Sequence, residues 1–332
     1  MHRIVDLGGT WQISWSEDGP EPLIFGSEEG HMWLPARVPA PVHETLMENG
    51  LLDDPNLGMN SLRARWVEEQ IWVYRREFEL PEEAPGGSQW LTFDWLEHAA
   101  AVWVNGHEVG RHANSHRRAA FPVTGYLQAG RNTVVVAVES GLQEVNDVPV
   151  AAYGFDRYAR MTRRPLLRKA QYQCGWDWNP RMMNVGILGG VRLECADVPV
   201  IDTTSVVATV DPTLQKGTVI CRVFVRWPDS ATAPSGRVRV SIPETDAAAE
   251  MELARADDAS TVTCHEIRLE VDEPELWWPA GQGDQKLYDV EMSLVAGDAV
   301  QTVHAATGFR RVEIDQSPHP DGGRHFIVCV NG

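Results

Sequence analysis

The sequence predicts an all-β fold made of successive β-sandwiches. Short runs of alternating apolar and polar residues recur along the chain, separated by turn-forming Gly, Pro and Asn residues. No long stretch has the apolar spacing of an amphipathic helix, so the cores are expected to lie between sheets. The 332 residues are enough for two or three domains.

The first elements follow from local patterns. The run from Gly9 to Trp15 alternates after a Gly-Gly turn and predicts a strand, as does the run from Trp72 to Leu80. Between them, residues 35–41 contain three prolines and predict an extended loop. Residues 43–50 predict one or two helical turns that end at an Asn-Gly pair.

The clearest local signal is a hairpin at Asn105-Gly106. Extended runs flank this pair, and both positions of the tight hairpin turn need a positive φ, which Asn and Gly tolerate best. The β-branched run from Thr133 to Val138 predicts a buried strand. Residues 185–193 predict the strand that ends the first domain.

A second domain is expected after a boundary near residues 197–201. Short runs separated by turns over ~100 residues fit an immunoglobulin-like sandwich, although the Cys…Trp…Cys spacing of antibody domains is missing. Residues 247–257 are rich in Ala and Glu and are compatible with a helical turn or a polar loop. The predicted strands lie at residues 205–210, 218–225, 237–242 and 261–271.

Charge and cysteine content limit the class of partner. A formal net charge of −18 repels phosphate backbones and anionic membranes, so no nucleic-acid or membrane partner is expected. The five cysteines are widely spaced without a C-x-x-C pair, which predicts reduced thiols in a cytoplasmic protein and no zinc site. The motifs of nucleotide, metalloprotease and serine-hydrolase sites are missing too, so neither a metal nor a cofactor is predicted.

The most informative stretch is residues 171–181, in which Trp176 and Trp178 flank Asp177. A strand would send the indoles one way and the carboxylate the other, whereas a turn brings all three to one surface. Indole faces can cover the apolar C–H face of a sugar while a carboxylate accepts from its hydroxyls. The alternative is two core tryptophans with Asp177 in a turn, and spacing alone favours it because buried aromatics are commoner than binding sites.

This stretch and several others resemble the β-mannosidases of glycoside hydrolase family 2. The central motif runs from Arg168-Lys169-Ala170-Gln171-Tyr172 into Gly175-Trp176-Asp177-Trp178. Further motifs follow the family's order over essentially the whole chain: Asp54 to Asn60, Trp72 to Phe78, Val104-Asn105-Gly106, Leu276 to Gly281 and Gly308-Phe309-Arg310.

The resemblance implies a domain plan. A jelly-roll, galactose-binding-like sandwich is expected at residues 1–198, an immunoglobulin-like sandwich at 199–307, and a linker with the first strand of a (β/α)₈ barrel at 308–332. The strand predicted at 325–330 runs into Asn331-Gly332, a hairpin signal, so it is expected to lack its partner strand here. Both catalytic glutamates of the family lie on the barrel. We therefore assign no catalytic residue to this chain and expect a truncated, inactive portion of the enzyme.

The resemblance also implies residue roles. Asp177 would hydrogen-bond the hydroxyls of the sugar in the cleaved position, Trp176 and Trp178 would orient it or line the pocket, and Arg168 and Gln171 would support it. The activity implied for the intact protein is retaining hydrolysis of terminal non-reducing β-D-mannose residues. A stand-alone carbohydrate-binding or structural pair of sandwiches is an alternative. So is a related β-galactosidase, β-glucuronidase or exo-glucosaminidase.

The chain departs from the family pattern near this motif. Asn179 stands where glycine is usual, and Leu188-Gly189-Gly190 stands where bulkier residues are usual, which predicts a looser backbone near the site. Residues 141–170 bring positive charge to an acidic protein, either as a solvated loop or as a loop that shapes the rim of the sugar site. The arginines concerned are Arg157, Arg160, Arg163, Arg164 and Arg168.

Overall fold

The computed structural model describes residues 2–17, 19–25, 31–81, 87–145, 164–229, 235–255 and 261–332. Two compact units divide the chain, Arg3–Cys195 and a second that contains Ala196–Gly332. Each described unit is built mainly of strands, so the predicted all-β fold is confirmed.

The first unit contains thirteen of the described strands. Three sheets have the orders β1-β13-β6-β10, β3-β2-β5-β11-β8-β9 and β4-β12-β7. The strands are β1 (His2–Asp6), β2 (Gly9–Ser16), β3 (Leu34–Val38), β4 (Ala40–Pro41), β5 (Ile71–Leu80), β6 (Ser88–Phe93), β7 (Leu96–Glu97), β8 (Ala99–Val104), β9 (His107–Ala113), β10 (Ala119–Pro122), β11 (Gly130–Glu139), β12 (Gly186–Ile187) and β13 (Val191–Ala196).

Short helices connect these strands. The predicted turns at 43–50 are confirmed as a helix that ends where the Asn49 amide side chain donates to the Thr45 carbonyl at 2.8 Å. The helices are α1 (Glu21–Phe25), α2 (Val42–Glu48), α3 (Asn60–Arg63) and α4 (Leu142–Val145), with 3₁₀ turns at Ala64–Glu69, Arg164–Leu166 and Gln171–Cys174.

The core of the first sandwich lies between the four-stranded and six-stranded sheets. Leu91 and Phe93 of β6 face it from one side, and Trp11 of β2 and Trp72 of β5 from the other. The indole of Trp72 also donates to the Val67 carbonyl at 2.9 Å, because a buried N–H needs a partner. The first sandwich carries the candidate site.

The hairpin predicted at Asn105-Gly106 is confirmed. It joins β8 to β9, and its two turn residues have φ values of 50° and 82°. The Asn105 side chain accepts from the Thr133 amide at 2.8 Å and donates to the Asn132 side chain at 2.9 Å. Because β11 pairs with β8, these bonds also tie the turn to the neighbouring strand.

Two segments of the first unit differ from the prediction. Residues 35–41 were expected to be a loop but form β3 and β4, because extended proline-containing backbone fits the edge of a sheet, and β3 is an edge strand. Residues 185–193 were expected to be one strand but form β12 and the start of β13, which belong to different sheets. The break lies at Leu188-Gly189-Gly190.

The second unit is a smaller sandwich followed by a hairpin. Sheets of order β14-β15-β18 and β17-β16-β19-β20 enclose a core that includes the fully buried Trp227, and β21-β22 forms a two-stranded ribbon. The strands are β14 (Val200–Val210), β15 (Lys216–Arg226), β16 (Gly236–Ser241), β17 (Ala248–Leu253), β18 (Val262–Asp272), β19 (Tyr288–Ala296), β20 (Ala299–Thr307), β21 (Val312–Asp315) and β22 (Ile327–Val330).

Two predictions for this unit are wrong. The Ala- and Glu-rich segment 247–257 was expected to be a helical turn or loop, yet residues 248–253 form β17 beside β16. The strand at 325–330 was expected to lack a partner, but β22 pairs with β21 in antiparallel register. Asn331 then bonds back to Arg311 and Trp277. In the described part of the chain, every helix is too short or too polar to cross a bilayer.

Candidate functional site

The motif around Asp177 lies on a loop of the first sandwich, residues 168–184, which we call the tryptophan loop. Its outgoing stem (residues 168–175) and its returning stem (residues 180–184) are joined by two hydrogen bonds. The Met182 amide donates to the Gln173 carbonyl at 3.1 Å, and the Asn184 amide donates to Gln173 Oε1 at 3.0 Å. Between the stems the chain turns back at residues 176–179. The tip of the loop therefore carries the predicted sugar-binding residues.

The tip is a turn, not a strand. The Trp176 amide donates to the Asn179 carbonyl at 3.1 Å and the Asn179 amide donates to the Trp176 carbonyl at 3.3 Å. Trp176 is 50% exposed, Trp178 is 84% exposed, and Asp177 between them is exposed as well. The alternative with both indoles in the core is therefore wrong, and the three side chains share one exposed turn.

Glycine is needed where the outgoing stem enters this turn. Gly175 has a φ of +101°, a conformation that side-chain-bearing residues rarely adopt. Asn179 donates through Nδ2 to the Tyr172 carbonyl at 3.4 Å. This contact connects the end of the turn to the outgoing stem.

The two residues predicted to support Asp177 lie in the stem. Arg168 is exposed, and its carbonyl accepts from the Ser115 amide at 2.9 Å. Gln171 Nε2 donates to the Lys169 carbonyl at 3.3 Å. Both contacts hold the backbone of the stem, so a direct role of these side chains at Asp177 stays a prediction.

A buried ion pair anchors the outgoing stem. Lys169 Nζ lies 3.0 Å from Glu97 Oε1, and the two side chains are 1% and 0% exposed. The same ammonium donates to the Asn184 carbonyl on the returning stem. Burial lowers the pKa of Lys169, while the Glu97 carboxylate opposes that shift.

A second ion pair anchors the returning stem. Arg181 Nη2 lies 2.5 Å from Glu68 Oε1, and Arg181 Nε donates to Glu68 Oε2 at 3.2 Å. Glu68 belongs to the 3₁₀ turn Ala64–Glu69 of the sandwich. Because Glu68 and Glu97 are both buried in these pairs, neither is placed to act as an exposed acid or nucleophile.

Two buried histidines lie near the first ion pair. Burial, followed by the charge of Lys169, lowers the pKa of His43 to about 4. The same two causes, in the same order, lower the pKa of His98 to about 4. His98 Nδ1 lies 3.2 Å from the Ser115 hydroxyl, so this imidazole takes part in the contacts that hold the outgoing stem.

The backbone at Leu188-Gly189-Gly190 is closely packed, contrary to the looser backbone that was predicted. A Cβ on Gly189 would lie 2.5 Å from the Trp95 amide nitrogen and 2.9 Å from Trp95 Cβ. The Trp95 carbonyl accepts from the amides of Leu188 and Gly189 at 3.0 and 3.2 Å. The glycine therefore allows a close approach of two backbones.

Sequence reasoning missed the residues that anchor the loop. Glu97 follows Leu96 in a mostly apolar stretch, and a carboxylate in such a stretch was the available signal that it needs a buried partner. The identity of that partner, Lys169, has no local signal. The predicted arginines at 157, 160 and 163 lie outside the described residues, so their role at the rim stays a prediction.

The side chains of the described loop can contact hydroxyl groups and apolar C–H faces, but they do not include a pair of opposed carboxylates. Asp177 can accept hydrogen bonds from hydroxyl groups, and the adjacent indoles can cover apolar C–H faces. A retaining glycosidase needs two carboxyl groups ~5.5 Å apart. Within the described ranges, no group of three or more His, Cys, Asp or Glu side chains is arranged to hold a metal ion.

Comparison with known families identifies both domains. Residues 11–189 match a family described as "Glycosyl hydrolase 2 galactose-binding domain-like", and residues 200–310 match one described as "Glycosyl hydrolases family 2". The tryptophan loop lies inside the first match.

Individual relatives agree with these matches. Beta-mannosidase B of Emericella nidulans is 30% identical over 92% of this chain and 36% of its own length, and that of Aspergillus niger is 32% identical over 90% and 35%. The chain thus spans about a third of the length of the curated relatives it matches.

Solved structures show the same architecture. β-D-Mannosidase from Dictyoglomus thermophilum is 26% identical with a TM-score of 0.78, covering 99% of this chain and 39% of that one. The exo-chitosanase of Amycolatopsis orientalis has a TM-score of 0.70 at 22% identity, over 99% of this chain and 36% of that one, which shows the fold alone.

Proposed function

The chain belongs to glycoside hydrolase family 2, and from that premise we propose that it is the N-terminal, substrate-supporting region of a retaining exo-β-mannosidase. The intact enzyme would hydrolyse terminal non-reducing β-D-mannose residues. The similarity to fungal Beta-mannosidase B proteins over about nine tenths of this chain supports this substrate.

The observation that carries the proposal is the exposed turn at residues 176–179. Asp177 lies between two accessible indoles on a loop whose stems are held by buried ion pairs. A sugar would be recognised when Asp177 accepts from its hydroxyls and an indole covers its C–H face. Such a rigidly held group loses little entropy on binding.

The chemical step would come from another part of the intact protein. Two opposed carboxyl groups, one acting as acid and base and the other as nucleophile, would lie on a catalytic barrel that this chain does not include. The chain spans about a third of its relatives' length, which leaves ample room for such a barrel. The tryptophan loop would then form one wall of the pocket.

Asp177→Ala in the intact enzyme tests the role of the carboxylate. We expect kcat/KM for p-nitrophenyl β-mannoside to fall, because sugar hydroxyls lose their acceptor. The expected loss of transition-state binding free energy is about 2 to 4 kcal/mol. Asp298→Ala, which removes an exposed aspartate from the turn between β19 and β20, is the matched control and should stay near wild type. Activity of the Asp177 variant within twofold of wild type would refute the role.

The same assay distinguishes the sugar. The competing substrates are the aryl β-glucosaminide, β-galactoside and β-glucuronide, which correspond to the exo-glucosaminidase, β-galactosidase and β-glucuronidase alternatives that the sequence left open. We expect the mannoside to have the highest kcat/KM. A higher value for another sugar would redirect the assignment within the family.

A further inference from the structure

The tip of the tryptophan loop is largely exposed, so its orientation depends on the stems that connect it to the sandwich. Trp176 and Asn179 close the turn through their backbones, and Trp178 extends into solvent. A sugar-binding surface needs its side chains held in the bound geometry before the ligand arrives. The structure shows such contacts in the stems of the loop.

One ammonium group joins the three segments that set the direction of the loop. Lys169 lies on the outgoing stem, Asn184 on the returning stem, and Glu97 on β7 of the sandwich. Lys169 Nζ is 3.0 Å from Glu97 Oε1 and donates to the Asn184 carbonyl. A change at this group therefore alters both stems relative to the sheet.

The other oxygen of the same carboxylate holds a further indole. Glu97 Oε2 accepts from Trp95 Nε1 at 2.7 Å, although Trp95 is 42% exposed. The carboxylate is thus fixed from two sides, by Lys169 and by Trp95. The Glu97 carboxylate therefore faces Lys169 in one defined position.

Stability alone gives little reason for a buried ion pair. Removing two charges from water offsets most of their attraction, and a well-packed apolar pair is often as stable. A directional pair with hydrogen-bonded partners, however, restricts the geometry more than apolar contact does. We propose that Lys169 and Glu97 are positioning residues that hold Asp177 and its flanking indoles in one orientation, an inference that rests on the proposed function for its sugar ligand.

The test replaces both members of the pair. The double variant Lys169→Met with Glu97→Leu removes both charges together and leaves no lone charge buried. The chain is labelled with 5-fluorotryptophan, and the ¹⁹F NMR signal of Trp176 is assigned from its loss in Trp176→Phe. We expect the chemical shift of the Trp176 signal to move toward that of a free peptide and its line to become narrower. The chemical shifts of the core residues Trp11 and Trp72 should stay unchanged.

The second sandwich provides a matched control. Arg226 and Asp202 form an ion pair there in which the arginine is buried, so Arg226→Met with Asp202→Leu makes the same kind of exchange within the second sandwich. The Trp176 signal should be unchanged in this control. An unchanged Trp176 signal in the folded Lys169/Glu97 variant would overturn the proposal.

Activity of the intact enzyme completes the test. We expect at least a tenfold loss of kcat/KM on p-nitrophenyl β-mannoside for the Lys169/Glu97 variant and less than twofold for the control. A Trp176 signal that moves without loss of activity also overturns the positioning role. A wild-type enzyme without β-mannosidase activity would instead refute the proposed function, and the NMR comparison would still decide the geometry.

If the double variant does not fold, Glu97→Gln takes its place. This substitution keeps the size of the side chain and a carbonyl oxygen, but it removes the charge that faces Lys169. The same movement of the Trp176 signal is expected, and an unchanged signal counts against the proposal in the same way.

Discussion

Acid should destabilise the first sandwich, because two of its buried histidines are neutral in the folded state. His43 and His98 are buried, and burial together with the charge of Lys169 lowers the pKa of each from 6.5 to about 4. An imidazole in the unfolded chain keeps its ordinary pKa. Between pH 6.5 and 4 the unfolded chain therefore binds protons that the folded chain does not.

The sign and size of the effect follow from this difference in pKa. Stability rises with pH wherever the unfolded state binds more protons, so the contribution is present at pH 7 and is lost as the pH falls from 6.5 toward 4. The loss between pH 7 and pH 4.5 is about 2 kcal/mol for each histidine. Below pH 4 both states bind the proton and the dependence from these groups ends.

Urea unfolding at pH 7 and pH 4.5, followed by tryptophan fluorescence, measures this loss. His98→Asn keeps a polar group near the Ser115 hydroxyl but cannot titrate, so its loss of unfolding free energy on acidification should be about 2 kcal/mol smaller than that of wild type. His304→Gln is the control, because His304 is exposed beside Asp289 in the second sandwich. The reasoning would be refuted if His98→Asn lost as much stability in acid as the wild type does. It would also be refuted if an NMR titration gave His98 a pKa near 6.5.

Two further substitutions test close packing and a buried polar link. Gly189→Ala should cost about 1 to 3 kcal/mol of unfolding free energy, because the new Cβ would lie 2.5 Å from the Trp95 amide nitrogen; unchanged urea unfolding would contradict this. Asn331→Ala should cost a similar ~1 to 3 kcal/mol, because the Arg311 amide and the Trp277 carbonyl lose their partner at 2.9 and 3.1 Å. Thermal unfolding of that variant at the wild-type temperature would show that water replaces the side chain.

Elements with strong local chemistry were predictable. The turn at Asn105-Gly106 forms because these two residues tolerate positive φ better than others, a preference that acts within two residues. The run from Thr133 to Val138 lies within β11, between β5 and β8, as its β-branched composition predicts. In both cases the residue types of one short segment were enough to predict the element.

A segment whose structure depends on pairing with another strand was predicted wrongly. Ala and Glu in residues 248–253 favour helix by themselves, yet this segment is the edge strand β17. Its glutamates lie opposite arginines of β16, with Arg237 Nε donating to Glu252 at 2.7 Å. Pairing with an existing strand outweighs a weak local preference.

The candidate site shows the same division. A single short stretch drew attention to an acid between two indoles, because residue type and spacing are local information, but spacing alone favoured buried indoles. The loop that carries this acid is anchored by Lys169 and Glu97, which are far apart in the chain and meet only in the folded sandwich. Burial and ion pairing depend on which segments come together, so the sequence could name the residues of the candidate site, whereas their exposure in one turn required the folded chain.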